Sequence, residues 1–174
     1  ENKPFLFDTP IHFTGVGKIQ AAYRAAEVIL AEKPSLVINI GSCGSYQHKV
    51  GEIMEIHRFF NDIDAVPLCD YGTTPFSDGL LSFGEKETSC LTSDNFVDPD
   101  KDFSPSFQKQ VQECSIFDME SYALAFVCKQ SGIAFKCYKW VSDDGNDRDW
   151  EHNKAIGFQQ FQNHYSFVVE SPSY

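Results

Sequence analysis

The sequence predicts an α/β fold, a single domain with a twisted, mixed central sheet flanked by helices. Three observations predict it. Short β-branched runs alternate with longer stretches of helical period. The runs end in small or polar residues, as strands that feed helices do. No repeat, low-complexity segment or linker divides the 174 residues, a length that suits one hydrophobic core.

Ile11–Thr14 reads as a strand ending at Gly15-Val16-Gly17, and a helix follows from about Lys18 to Glu32. Ile19, Ala22, Ala26, Ile29 and Leu30 lie near a 3.6 period and are its expected core face. Lys33-Pro34 stops it. Leu36–Ile40 is apolar on both faces, as a buried parallel strand is, and Gly41–Ser45 closes it as a small-residue turn. Gly51–Phe60 reads as one longer strand. Residues 61–88 are rich in Asp, Gly, Pro and Thr and read as irregular connections with room for a hairpin. Ser89–Thr92 and Cys114–Phe117 are short strands. Asp118 is placed to cap a helix from Met119 to Ser131, which Gly132 ends. Ala134–Val141 is a mixed strand closed by Ser142–Gly145. The tail from about Asn153 to Val169 reads as a helix with Ile156, Phe158, Phe161 and Phe167 as core.

Composition removes several functions. There are 14 Lys plus Arg against 25 Asp plus Glu, a formal charge of −11. Such a surface repels a phosphate backbone or an anionic membrane, so neither is an expected partner. No apolar run reaches the roughly 20 residues of a membrane helix, and no signal-peptide pattern opens the chain. The 6 cysteines form no CxxC pair and read as reduced thiols. A cytoplasmic location is therefore expected. The five histidines show no paired ligand spacing, and Asp143–Asp149 does not fit a calcium loop, so no metal or cofactor is expected.

In α/β sheets, ligands collect beyond the carboxyl ends of the strands. Ser42 offers a hydroxyl there, Phe96 an aromatic face and Asp143 a carboxylate. The Gly15–Lys18 turn lacks the spacing of a phosphate-binding P-loop. Phe117-Asp118-Met119-Glu120-Ser121 places a carboxylate and a thioether at a helix start; it reads either as a capped helix or as part of a site.

The segments GVGKIQAA, VINIGSCGS, VGEI, FFNDIDA, LTSDNFV, FDMESYALAFVC and KWVSDD follow one another in this order. Together, over roughly Ile11 to Asp144, they resemble the purine nucleoside phosphorylase and nucleosidase superfamily. The likeness is strongest to 5'-methylthioadenosine/S-adenosylhomocysteine nucleosidases. The resemblance implies a nucleoside phosphorylase-like fold and hydrolysis of a purine nucleoside that releases free base. It implies that Glu120 holds the ribose hydroxyls, with Met119 against the sugar. Phe96 and Val97 match an adenine-stacking pair, and Asp143 matches the group that donates a proton or hydrogen bond to the leaving purine. Ser42 and Lys139 match positions near the nucleophile. The nucleosidases carry Arg where this chain has Lys139, which keeps the charge but loses the bidentate fork.

Phosphorolytic relatives with the same turn place an Arg three residues before its Ser. Here that position is the uncharged Asn39, which favours water over phosphate. The nucleosidases activate water with a Glu after their first strand. This chain, read as one domain over residues 1–174, lacks that strand in front, and Glu1 in Glu1-Asn2-Lys3-Pro4 is the tentative match. Without such a base the chain would bind nucleosides without turning them over. The resemblance also implies a homodimer or larger homo-oligomer.

Overall fold

The computed structural model describes residues 10–64, 69–76, 78–98 and 100–145, with Asn153, Gly157 and Gln160. Among them the chain runs α1 (Lys18–Glu32), β1 (Leu36–Gly44), β2 (Ile53–Ile56), β3 (Arg58–Asn61), β4 (Leu80–Ser82) and β5 (Ser89–Thr92). It continues through α2 (Pro105–Glu113), β6 (Ile116–Asp118), α3 (Ser121–Ser131) and β7 (Ala134–Asp143). The strands form one mixed sheet in the order β2-β7-β1-β6-β5-β3-β4.

Two features curl this sheet. First, β2 and β3 are separated only by His57, yet they stand first and sixth in the strand order. A one-residue link between such positions requires the sheet to bend back on itself. The sequence reads Gly51–Phe60 as one strand because its apolar residues recur with no turn signal between them. The structure splits it where His57 and Arg58 both donate from their backbone N–H to Thr88 O at 3.0 Å.

Second, β1 and β7 form one parallel group, and β3, β5 and β6 another. The groups meet antiparallel at a single pair, Gly44 opposite Phe117. Antiparallel strands that touch only near their carboxyl ends bring those ends to one place. Gly44 is required there, because a Cβ would lie 2.0 Å from the Phe117 ring. This explains why Gly41–Gly44 continues β1 instead of closing it as a turn. The run stays in ladder with β7, Gly41 beside Lys139 and Ser42 beside Trp140, and its small residues make room for the neighbours.

The main core lies between the sheet, α1 and α3. Phe59, Phe83 and Phe135 pack edge to face, with Phe59 and Phe135 centroids 5.5 Å apart. Phe59 is fully buried, worth about 1.5–3 kcal/mol for such a side chain. Ala21, Ala25 and Ile29 form the inner face of α1 and join the same cluster as Tyr122–Ala125 and Cys128 of α3. Small residues at four-residue steps let the two helices approach closely. Of the expected face, Ile29 is buried and Ala22 packs against the cluster, whereas Ile19 is 84% and Leu30 76% exposed. Both sides of α1 carry apolar residues, and only the position of α3 decides which is covered.

Ile11–Thr14 is not a strand. His12 pairs instead with Glu32 at 3.0 Å, so the segment runs back along α1 and finds no ladder. The sequence reading also passes over α2, although Ser104-Pro105 is a helix start in composition. Ser104 Oγ accepts from Phe107 N–H at 3.3 Å and Pro105 occupies the first turn. Gly132, at φ 67°, ends α3 as expected. All six cysteines are free thiols. Asn153, Gly157 and Gln160 are helical, but the expected core residues Ile156, Phe158, Phe161 and Phe167 lie outside the described residues.

Gly44→Ala tests the crossing point. The added methyl forces β1 and β6 apart and is expected to cost about 1–3 kcal/mol in chemical denaturation. Ala at the exposed Gly132, where nothing lies within 4 Å of an added Cβ, carries only the left-handed backbone penalty and serves as the comparison.

Candidate active site at the carboxyl ends of the strands

Asp118 ends β6 with its carboxylate buried, and this charge organises the floor of the site. Its Oδ2 lies 2.8 Å from Lys139 Nζ on β7. The same carboxylate accepts from Thr92 Oγ1 at 2.8 Å, from Cys90 Sγ at 3.3 Å, and from the backbone N–H and hydroxyl of Ser121. Lys139 holds the Asp118 carboxyl below the usual carboxylate range despite its burial. The Asp118 charge in turn holds the Lys139 ammonium above its ordinary value, against desolvation. Thr92 Oγ1 accepts from Tyr122 N–H at 2.8 Å, and Asn39 donates to Ser121 Oγ at 3.0 Å. One carboxylate thus ties β5, β6, β7 and the start of α3 together, with β1 joined through Asn39.

Lys139 was expected beside a nucleophile, but it is 2% exposed and committed to Asp118. The reason is electrostatic: a buried carboxylate with this many donors still needs a counter-charge, and Lys139 supplies it. Asp118, read from sequence as a helix cap, does accept from Ser121 N–H, but the ion pair is its main role.

Glu120 stands two residues on, half-buried, between β6 and α3. Its carboxylate accepts from Gly17 N–H at 2.9 Å. Burial pushes the Glu120 carboxyl up from its ordinary value, and the Asp118 charge pushes the same way. Lys139 and the backbone N–H groups of Gly17 and Met119 oppose them. The Gly15–Lys18 turn is therefore strapped across the strand ends. Lys18 N–H donates to Asp94 Oδ1 at 3.0 Å, and Lys18 Nζ donates to Asn61 Oδ1 at 3.2 Å and Asp62 O at 2.9 Å. Gly17, at φ 89°, needs its missing side chain for this path.

Asp143 ends β7 at 2% exposure. Gly145 N–H donates to its Oδ1 at 3.0 Å, and its Oδ2 lies 2.8 Å from Ser142 Oγ. Ser142 Oγ is also 3.1 Å from Cys43 O, and Ser45 N–H donates to Asp143 O at 3.0 Å. These contacts join the ends of β1 and β7. Ser42 is half-buried in β1 beside Trp140. Phe96 is half-buried on the loop after β5, whereas the Val97 side chain is buried with Leu91, Phe107 and Phe117 and offers no stacking face. Met119 is half-buried beside Glu120.

The sequence reading misses Tyr46, Lys18 and Asp94. Tyr46 lies 5.1 Å from Phe117 between ring centroids, and burial together with the charges of Asp98, Asp144 and Asp143 raises its phenol. It therefore stands near both the loop after Phe96 and the end of β7. Its place right after the Gly41–Ser45 run was the available signal. Glu1 lies outside the described residues. A groove of about 370 Å³ lined by Phe76, Asp78, Leu81, Phe126 and Gln130 includes none of these residues.

Lys139→Met leaves Asp118 buried without its counter-charge. The substitution is expected to destabilise the chain by about 3–5 kcal/mol, read as a lower denaturation midpoint at unchanged slope.

Residues 10–166 match the family model of the phosphorylase superfamily. A 5'-methylthioadenosine/S-adenosylhomocysteine nucleosidase of Bacillus cereus is 27% identical over 154 residues, covering 75% of this chain and 65% of the relative. The corresponding Bacillus thuringiensis protein is 26% identical over the same shares. The chain thus spans about 65% of the length of the curated relatives it matches. Futalosine hydrolase of Helicobacter pylori superposes with a TM-score of 0.80 at 18% identity, over 90% of this chain and 77% of that one. The Neisseria meningitidis 5'-methylthioadenosine/S-adenosylhomocysteine nucleosidase, solved with methylthio-immucillin-A, gives 0.78 at 20% identity over 92% and 80%. The structural likeness is one of fold, and the family match extends over most of the sequence: the chain belongs to the phosphorylase superfamily.

Proposed function

We propose that the chain hydrolyses the N-glycosidic bond of a purine nucleoside of the 5'-methylthioadenosine/S-adenosylhomocysteine type. The observation that carries this reading is the setting of Asp143. Its side chain is buried at the end of β7, with Oδ2 accepting from Ser142 Oγ at 2.8 Å and Oδ1 from Gly145 N–H at 3.0 Å. Ser142 Oγ also lies 3.1 Å from Cys43 O, so the carboxyl is held in one orientation. A carboxyl so placed at a strand end is the proposed proton donor.

Such a donor is what the reaction requires. As the bond from the sugar to the purine breaks, its electron pair goes to the base, and the sugar becomes oxocarbenium-like. A proton from Asp143 to a purine ring nitrogen neutralises the leaving group. Glu120, as a carboxylate, accepts from the ribose hydroxyls and favours the positive charge developing on the sugar. Phe96 is the stacking face for the base, Met119 packs against the sugar, and Ser42 lines the rim near the incoming water. Lys139 acts from below, by fixing Asp118 and lowering the charge penalty on Glu120. Water adds to the sugar carbon and loses its proton to a base, for which Glu1 is the candidate by resemblance.

Hydrolysis is favoured over phosphorolysis because Asn39 brings no charge and its amide is engaged by Ser121 Oγ at 3.0 Å. The named activities of the relatives, methylthioadenosine/adenosylhomocysteine and futalosine nucleosidases, agree with this class. We take the site to work in the cytoplasm on a small diffusible nucleoside.

Base release from methylthioadenosine, S-adenosylhomocysteine, adenosine, inosine and a futalosine-type nucleoside, each with and without phosphate, tests the reading. Free base without phosphate is expected. Strict phosphate dependence selects phosphorolysis, and tight binding without release selects a binding protein. Asp143→Asn should lower kcat by about 10²–10⁴-fold with little change in nucleoside affinity. The raised Glu120 carboxyl protonates at a higher pH than an ordinary Glu as the solution is acidified, and a protonated Glu120 no longer accepts from both hydroxyls. Nucleoside affinity, measured by calorimetry between about pH 7 and pH 4, should therefore fall on acidification, and Glu120→Gln should bind weakly with that pH dependence removed.

A further inference from the structure

α1 begins without a cap of its own. Its N-cap is Gly17, which has no side chain to accept, and its first turn holds no acidic residue. The early N–H groups of a helix need acceptors. Here they come from other elements. Glu120, at the start of α3, accepts from Gly17 N–H at 2.9 Å, and Asp94, after β5, accepts from Lys18 N–H at 3.0 Å. The Asp94 carboxylate stands close over the turn, 3.4 Å from where a Cβ on Gly17 would lie.

The Lys18 side chain ties the same turn down a second time. Its ammonium has three hydrogens and three acceptors within reach: Asp62 O at 2.9 Å, Asn61 Oδ1 at 3.2 Å and Asp94 Oδ2 at 3.4 Å. Those acceptors are themselves fixed. Asp62 N–H donates to Thr92 O at 2.9 Å, and the Asp62 carboxylate accepts from the Ser93 and Tyr71 hydroxyls. Ser93 N–H in turn donates to Asp118 O at 2.9 Å. The turn is thus held to the strand end from which Glu120 departs.

We propose that Lys18 and Asp94 are positioning residues for Glu120, holding Gly17 N–H on its carboxylate and so fixing the acceptor for the sugar. The consequence for nucleoside binding rests on the reading of Glu120 as the ribose acceptor. Glu120 faces Asp118 from β6 and Lys139 from β7, with Gly17 N–H from the turn and Met119 N–H beside it. Burial and Asp118 favour its neutral form, whereas Lys139 and the two N–H groups favour the carboxylate. Lys139 is committed to Asp118, and Met119 is the chain neighbour of Glu120. Gly17 is therefore the contact that side chains on other elements control. Its loss raises the pH at which Glu120 takes up a proton.

Position and charge predict different signs. Lys18→Met removes a positive charge and Asp94→Ala a negative one. If the two residues act by holding the turn, both variants release Gly17 and both raise the pH at which Glu120 titrates. If they act on Glu120 through their charges alone, Lys18→Met raises it and Asp94→Ala lowers it.

Carbon NMR of the side-chain carboxyls in the ligand-free chain reads this without any substrate, with Glu120 identified by its loss in Glu120→Gln. An upward shift in both variants is expected. Opposite shifts, or no shift in Asp94→Ala, would overturn the proposal, as would a lower denaturation midpoint with the Glu120 titration unchanged. The Asp94 side chain is 55% exposed, so Asp94→Ala should keep its circular dichroism and decides the sign even if Lys18→Met does not fold. Affinity for methylthioadenosine should fall by about 3–10-fold in each variant. It should fall little further when either is combined with Glu120→Gln. Full affinity in Glu120→Gln alone would remove Glu120 from the sugar, while the shared upward shift would still uphold the positioning.

Discussion

The buried pair between Asp118 and Lys139 is the interaction on which the rest of this structure depends. Each charge is fully enclosed, and neither is tolerable alone at such depth. Because the pair is also hydrogen-bonded to Thr92 and Ser121, it fixes the ends of β5, β6 and β7 and the first turn of α3 relative to one another. Breadth of attachment, more than net stabilisation, is what it contributes. A carboxylate on one strand with partners on three other elements admits one arrangement of the four. Glu120, two residues from Asp118 and held by Gly17, inherits its position from that arrangement.

The curl of the sheet does the remaining work of assembly. A mixed sheet with two parallel groups in opposite directions would normally send its carboxyl ends to opposite edges. Here β1 and β6 touch only at Gly44 and Phe117, and the one-residue link at His57 pulls the strand order round on itself. The ends of both groups therefore share one rim. The rim gathers groups that no single supersecondary unit contains: the turn before α1, the loop after β5, the start of α3 and the end of β7. Glycine at the closest approach is a steric requirement of this geometry, since a methyl would overlap the Phe117 ring.

Electrostatics on the rim are graded by depth. Asp118 is kept ionised by its ammonium partner, whereas Glu120, higher and facing Asp118, is pushed towards neutrality. Asp143 is set apart on β7 with a hydroxyl and a backbone N–H. Three carboxyls thus meet three environments, and the proposed reading gives Glu120 and Asp143 different tasks on that ground.

The sequence by itself determined which segments are strands and helices wherever period and punctuation agree. Lys18–Glu32, Ser89–Thr92 and the strand from Ala134 stand where periodicity puts them, and Gly132 ends its helix for the reason its backbone freedom suggests. It also carried the ordered motifs that mark the superfamily, because those residues sit at strand ends, where local sequence and function coincide. Tertiary structure alone decided the rest. Ile11–Thr14 has strand composition but no ladder to join. Gly51–Phe60 is one stretch without turn residues in its interior, divided by a sheet corner at His57. The two apolar faces of α1 are indistinguishable by period until α3 covers one. Lys139 looks like a site residue in sequence and proves to be the counter-ion of a buried aspartate. In each case the deciding quantity is a contact between residues far apart in the chain, which local periodicity does not encode.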